Sequence, residues 1–347
     1  MAPVTLEQAK NFVQTDLDPF VIDGFRSVSP LLNLMAFDTA VNPAGGGGTL
    51  TYGYNRVLAP STAAFRELNT EYKDSVATVE QKVVNLVPLG GRFEIDRVIA
   101  GIGSSAANEV QFQMKQKIKA SALEFTNAVI NGDTGVNASG FDGLNKALVD
   151  TTQEIKDEFD WTGTDEDAAF GVLDSIDQLT GSLDGAATVL IGNSRAINKV
   201  RAAARRTNAY VSAPTGLVNS NGQEIMSERI GNVYLVDAGL KPGTGDDVVA
   251  TEGGTTSLYA VRLGLDGFHG VTTTGNNGLV KTWLPDFTTA GAVKSGEVEM
   301  GPLAVALKSQ RAAAVLRNVK IAGDAAAGSG DSADAAAGSG DSDDASA

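Results

Sequence analysis

The residues that come nearest to a recognisable chemical device are Gly101, Gly103 and Ala106 in the run GIGSSA. G-x-G-x-x-A between a strand and a helix is the pattern that holds a dinucleotide: the glycines let the backbone approach the pyrophosphate, and the helix N-terminus favours its charge. Glu124 even stands near the separation at which a carboxylate would bind a ribose hydroxyl. The surroundings argue otherwise. The preceding GRFEIDRVIA alternates apolar and charged residues, whereas a strand buried in a parallel sheet reads as a continuous apolar run. Glu124 also falls inside the following helix and not at a strand end. The glycines of Gly101–Ala106 are therefore read as a turn before a helix, and a dinucleotide-binding enzyme is kept only as the alternative of another class.

Other chemistries fail for want of parts. The glycines Gly45–Gly48 lack the Lys-Ser/Thr of a phosphate loop. NGDTGVNASG offers Asp133 and Asn137 without the closing glutamate of a calcium loop. No serine stands in a G-x-S-x-G elbow. The chain has no cysteine and a single histidine, His269, which removes disulfides, thiolate chemistry and histidine-rich metal sites together. The acidic groups Asp157/Glu158 and Asp165–Asp167 are most simply solvated helix starts, although paired carboxylates are able to do acid-base work. Arg195, Lys199, Arg201, Arg205 and Arg206 form the one basic cluster; on a helix, positions 195, 199, 202 and 206 share a side. They are read as a solvated face or as ion pairs between subunits. No catalytic, cofactor-binding or metal residue is expected, and no cofactor.

The elements that would position such residues are those of a strand-rich, folded chain. Of 347 residues, 42% are hydrophobic and 20% charged, and 40 are glycine, many in short clusters between apolar runs. The net charge of -15 argues against a protein that grips nucleic acid through its phosphates. Part of that charge is local: from Asp324 onward the chain is two near-copies of DAAAGSGDS with six aspartates and no Lys or Arg. This segment, 323–347, is expected to stay disordered. MAPVTLEQAK does not have the form of a signal peptide, and no apolar run approaches the ~20 residues of a bilayer span.

Residues 1–45, broken by DLDPF, SVSPLL and VNPAGGGG, read as an extended arm. TLTYGYNRVL and TVEQKVVNLVPL (Thr78–Leu89) read as strands flanking a polar excursion, a long two-stranded hairpin that would be marginal in water alone. The strand in PLGGRFEIDRVIAG is closed by Gly101 and Gly103. Ser104 or Ser105 then caps a helix to Ile130 with Val110, Met114, Ile118, Ala122, Phe125 and Val129 on one face, roughly 40 Å long at 1.5 Å per residue. Thr164 with Asp167 predicts a capping box for a helix carrying Val172, Ile176 and Leu179. ATVLIG, NVYLVDAG and TTSLYAVRLG read as strands, with a basic helix after the first. The fold class is α+β.

The order of these phrases resembles the Hong-Kong-97-like major capsid proteins of tailed phages. The parts that carry the resemblance are VPLGGRFEIDRVIA before a long helix, INGD followed by FDGL, ATVLIGNSRAINKVRAAAR, TTSLYAVRLG and GPLAVALKSQRAAAVLRNV. It implies an N-terminal arm at 1–45, an extended loop at 46–92, a peripheral domain at 93–164 with its spine helix at 104–130, an axial domain at 165–290, and return strands at 291–322. Some members cross-link a loop lysine to an asparagine. Lys73, Lys82, Asn276 and Asn277 have suitable side chains in surroundings that do not match, so no cross-link is expected.

The implied function is non-enzymatic: a subunit of an icosahedral phage head, self-assembling into hexamers and pentamers around double-stranded DNA held without sequence-specific binding. The implied partners are further copies of the chain with scaffold, portal and decoration proteins, and no membrane. The place is the virion, assembled in the bacterial host cytoplasm. An encapsulin-like compartment is the nearest alternative.

Overall fold

The computed structural model describes residues 30–39, 49–59, 61–101, 106–208, 210–218, 224–273 and 280–322. Gly45–Gly48, Ser104, Ser105, Asn276, Asn277, most of the expected arm and the aspartate-rich segment lie outside the described residues. In chain order, α1 (Pro30–Leu34) and β1 (Phe37–Asp38) precede an antiparallel ribbon of β2 (Thr51–Ala59) and β3 (Thr78–Asn85). Next come β4 (Val87–Asp96), α2 (Arg97–Gly101), the long α3 (Ala106–Asn131) and α4 (Leu144–Leu148). β5 (Glu154–Ile155), β6 (Phe159–Asp160), α5 (Glu166–Gly181), β7 (Val189–Gly192) and α6 (Ser194–Arg206) follow. The chain then runs through β8 (Tyr210–Val218), β9 (Glu224–Ile230), β10 (Val233–Asp237), β11 (Thr255–Val261), β12 (Phe268–Thr272), β13 (Val280–Trp283), β14 (Val293–Leu307) and β15 (Ala313–Lys320).

An eight-stranded mixed sheet has the order β5-β15-β11-β7-β10-β9-β8, with β6 also on β15. Both of its faces are covered, which is why VLIG is apolar throughout. Leu190 points to the side where α5 contributes Ala169, Val172, Ile176 and Leu179 and α6 contributes Ala196, Ile197, Val200 and Ala203. Val189 and Ile191 point to the other side, with Phe125, Val129 and Ile130 of α3. Trp161 is fully buried beneath the two helices and donates from Nε1 to Ser175 Oγ at 3.2 Å. Each fully buried Phe, Ile or Val at these positions contributes about 1.5–3 kcal/mol relative to exposure.

A five-stranded sheet is built around the fifteen-residue β14. β4 pairs along one edge of it, β13 and then β12 along the other, and β1 lies outside β12. The sheet needs glycine where strands approach closest: a Cβ at Gly90 would collide with the Val298 carbonyl, and one at Gly296 with the Phe93 ring. Val110 and Met114 of α3 pack on this sheet with Phe93, Ile95 and Val298, so the one helix braces both sheets. Asn131 holds its far end by donating to the Val248 carbonyl at 2.7 Å.

The structure differs from the sequence reading in five places. The run Thr78–Leu89 is not one strand: it breaks at Leu86, buried at 3% exposure, where the chain leaves the ribbon and joins the five-stranded sheet. The next strand ends at Asp96, whose Oδ1 accepts the Val98 N–H, and the chain turns into α2 instead of running on to Gly101. Ile118 is 37% exposed, because the two halves of α3 pack on different sheets and its middle crosses the gap. Asp165, not Thr164, caps α5, its Oδ1 accepting the Ala168 N–H at 3.0 Å; a carboxylate suits the positive end of the helix better than a hydroxyl. Within the expected arm, Leu31 and Met35 pack into the chain's own core and β1 pairs with β12.

Candidate functional site

The surface features that need explaining begin at the ribbon. Among the described residues β2 and β3 pair only with each other, and an isolated two-stranded ribbon is marginal in water. Its base is therefore anchored by side chains. Tyr52 is buried and donates from Oη to Asp38 Oδ2 at 2.9 Å. Arg56 donates from Nη2 to the Leu307 carbonyl at 2.6 Å. Leu86 N–H closes the base on the Leu50 carbonyl at 2.7 Å. Lys308 Nζ lies 5.7 Å from the centre of the Tyr52 ring. Burial, with the hydrogen bond to Asp38 behind it, pushes the Tyr52 phenol well above its ordinary pKa, so it stays a donor.

Beyond the base the ribbon stands clear of the body. Val57, Val79 and Val83 are each more than half exposed, and at the tip Phe65 is fully exposed with Leu68 at 89% and Val76 at 85%. The tip keeps its shape by Thr62 bonding Ser75 Oγ through both its N–H and its hydroxyl, and by Arg66 lying 5.2 Å over the Tyr72 ring. A second exposed apolar group, Trp283, Leu284 and Phe287, lies where the chain passes from β13 to β14. Behind it Lys294 is buried and donates to the Thr289 and Ala290 carbonyls at 2.6 and 3.0 Å. Contiguous exposed apolar surface of this kind marks interaction sites.

His269 sits in β12 with no exposed surface, its ring edge-on to Tyr52 at 6.0 Å. Burial pushes the imidazole pKa down, and Lys308 adds to this, against a smaller opposing pull from Asp38 and from the backbone at Gly267 and Gly264. It is a neutral packing group under the ribbon's base.

The remaining candidates are dispersed. Gly101 ends a helix where the dinucleotide pattern calls for a strand, Glu124 is half-buried within α3, and residues 102–105 of the run Gly101–Ala106 lie outside the described residues. Asp133 and Asp142 are bridged by Lys146 Nζ at 2.6 and 2.9 Å; Lys146 holds the Asp133 carboxyl below its ordinary pKa, and at Asp142 burial pushes the pKa up but the Thr134 N–H together with Lys146 outweighs it and lowers it. Asn137 caps the turn at Ser139. Among the described residues no group of three or more His, Asp or Glu could hold a metal ion. Asp157 and Glu158 are exposed between β5 and β6. Of the basic cluster, Lys199 donates to the Thr162 carbonyl and Arg201 pairs with Glu228, while Arg195, Arg205 and Arg206 are exposed. Lys82 pairs with Glu80 at 2.7 Å and Lys73 is exposed at the ribbon tip.

Two clusters escaped the sequence reading. One is the ribbon anchor, whose Arg56 and Leu307 lie 251 residues apart. The other is Arg317, which joins Glu154, Tyr259 and Asn145. No local pattern announces pairs of such separation.

The sequence matches no family model and no curated protein. The structure does match. It is similar to the holo-SrpI encapsulin complex of Synechococcus elongatus PCC 7942, with a TM-score of 0.59 and 16% identity over 92% of this chain and 97% of that one. It is similar to the capsid of a native GTA particle, at 0.55 and 11% over 85% and 91%, and to the capsid of Myoviridae phage XM1, at 0.52 and 12% over 91% and 99%. The chain has the Hong-Kong-97-like capsid fold. A likeness of these chains from end to end at such low identity places the common ground of the fold in its layers and connections, and not in any shared motif.

Proposed function

We propose that the chain is the major capsid protein of a tailed bacteriophage, a non-enzymatic subunit that assembles into hexamers and pentamers enclosing double-stranded DNA in the virion. The observation that carries this is the ribbon, which holds Phe65, Leu68 and Val76 out in solvent on an element with no third strand. Among the described residues nothing buries that surface, and a neighbouring copy would. On this reading residues 1–45 are the arm, 46–92 the extended loop over a neighbour, and 93–164 the peripheral domain with α3 as its spine. Residues 165–290 are the axial domain meeting its copies at the capsomer centre, 291–322 the return strands, and 323–347 the tail. Scaffold, portal and decoration proteins are the expected further partners, and the shell forms in the bacterial cytoplasm.

Electron microscopy of the purified chain with its sedimentation profile tests this directly. Icosahedral particles, or rings of five and six, are the expected result. A chain that stays monomeric at all concentrations, with and without candidate scaffold, would end the proposal. The likeness to an encapsulin favours a second reading, a compartment for protein cargo. Particles from the native host containing a cargo enzyme and no genomic DNA would establish it.

A further inference from the structure

The two helices on the outer face of the eight-stranded sheet carry opposite charge, and the charges do not meet within the chain. α5 presents Glu166, Asp167, Asp174 and Asp177 to solvent, and no Lys or Arg occurs anywhere from Asp157 to Ser194. α6 presents Arg195, Arg205 and Arg206. The helices pack through their apolar stripes, Val172, Ile176 and Leu179 against Ile197, Val200 and Ala203, which turns both charged flanks outward. None of these seven charged side chains has a hydrogen bond or ion pair among the described residues. The acidic flank has Phe170 at its middle, 47% exposed, and on α6 the half-buried Ala202 lies between Lys199 and Arg206 on the same side. An exposed aromatic flanked by carboxylates, and a small residue flanked by cationic side chains, are complementary in shape and in charge.

We infer that the α5 flank of one copy docks on the α6 flank of the next, Phe170 against Ala202, with Asp174 and Asp177 facing Arg205 and Arg206. The contact is head-to-tail, and its repetition generates a ring when the rotation between copies closes, as the shell reading requires. It rests on the shell reading and gives that reading a specific lateral surface. A second copy of this chain is the occupant the charges select, since the acidic half has no use for DNA and the basic half has a matched partner in every neighbour.

The test is a charge exchange. One variant carries Asp174→Arg with Asp177→Arg, another Arg205→Glu with Arg206→Glu, and a third all four; thermal melting of each confirms folding. Each two-residue variant alone is expected to lose assembled material by about tenfold or more, because like charges then face each other, and the fourfold variant is expected to regain it. Mixing the two defective variants in equal amounts supplies alternating complementary faces. Six-membered rings then close and five-membered ones do not, so sheets or tubes of hexamers should replace closed shells. Normal shells from wild type and from both two-residue variants alike would overturn the contact while leaving the shell reading intact. Loss of assembly by Arg205→Glu with Arg206→Glu that neither the fourfold change nor mixing repairs would overturn it as well, and if added DNA promotes wild-type assembly it would give the basic flank to phosphate. A wild-type chain that never assembles overturns both proposals.

Discussion

At the scale of the residue, His269 is the most informative single position. Its imidazole is fully buried beside Tyr52, with Asp38 and Lys308 as the charged groups nearby, and burial lowers its pKa. The unfolded chain therefore takes up a proton at about pH 6.5 while the folded chain takes it up only at lower pH. Stability is full above that value and falls as the pH drops below it, with a slope of at most about 1.4 kcal/mol per pH unit from this one group. Melting temperatures measured between pH 7.5 and 5.5, a range set about that midpoint, should decline for the wild type and stay nearly level for His269→Gln; equal slopes would remove the histidine from the explanation. The paired carboxylates of Asp133 and Asp142 are lowered instead, so their contribution is lost only at more acidic pH. That His269 stands without a second imidazole was legible from composition alone. Its partners were not, because they come from three separate stretches of chain, and the choice of Asp165 over Thr164 as helix cap rests on a geometry two adjacent capping residues leave undecided in sequence.

At the scale of the element, the ribbon and α3 were both legible, one from its period of two and the other from its spacing of three and four. What periodicity missed was the change of partner. Thr78–Leu89 reads as one strand, yet β3 belongs to the ribbon and β4 to the sheet, and the division at Leu86 depends on β14 more than two hundred residues later. Ile118 follows the same rule: a stripe continues through it, but the surface beneath changes. The exposed tip gives a sharp expectation. Replacing Phe65, Leu68 and Val76 by serine should leave the melting of the unassembled chain within about 0.5 kcal/mol of wild type, since no described residue covers them, while abolishing shells. Assembly that survives the triple change, seen by sedimentation, would move the binding surface elsewhere, with Trp283, Leu284 and Phe287 next in line.

At the scale of the whole molecule, every copy brings a charge of -15 to its neighbours. Bringing like-charged bodies together is opposed at long range, and salt removes that opposition while leaving close pairs largely intact: the Debye length falls from about 10 Å at 0.1 M to about 3 Å at 1 M. Assembly followed by light scattering should accordingly be faster in molar salt than in dilute buffer; the reverse order would mean that attraction between charges outweighs the repulsion. The α+β class and the order of the elements were legible, and the resemblance they carried agrees with the fold. The two sheets were not, because β14, which reads as a return strand, is the centre of one of them and pairs with β4, β12 and β13. That pairing sets a timetable for synthesis. β4 waits for Val293 to face Asp96, so at roughly 5–20 residues per second the ribosome needs about 10–40 s to deliver the strand that completes the sheet. Through that interval the ribbon exists without the Leu307 carbonyl that holds Arg56, so its base is unanchored until the chain is nearly complete.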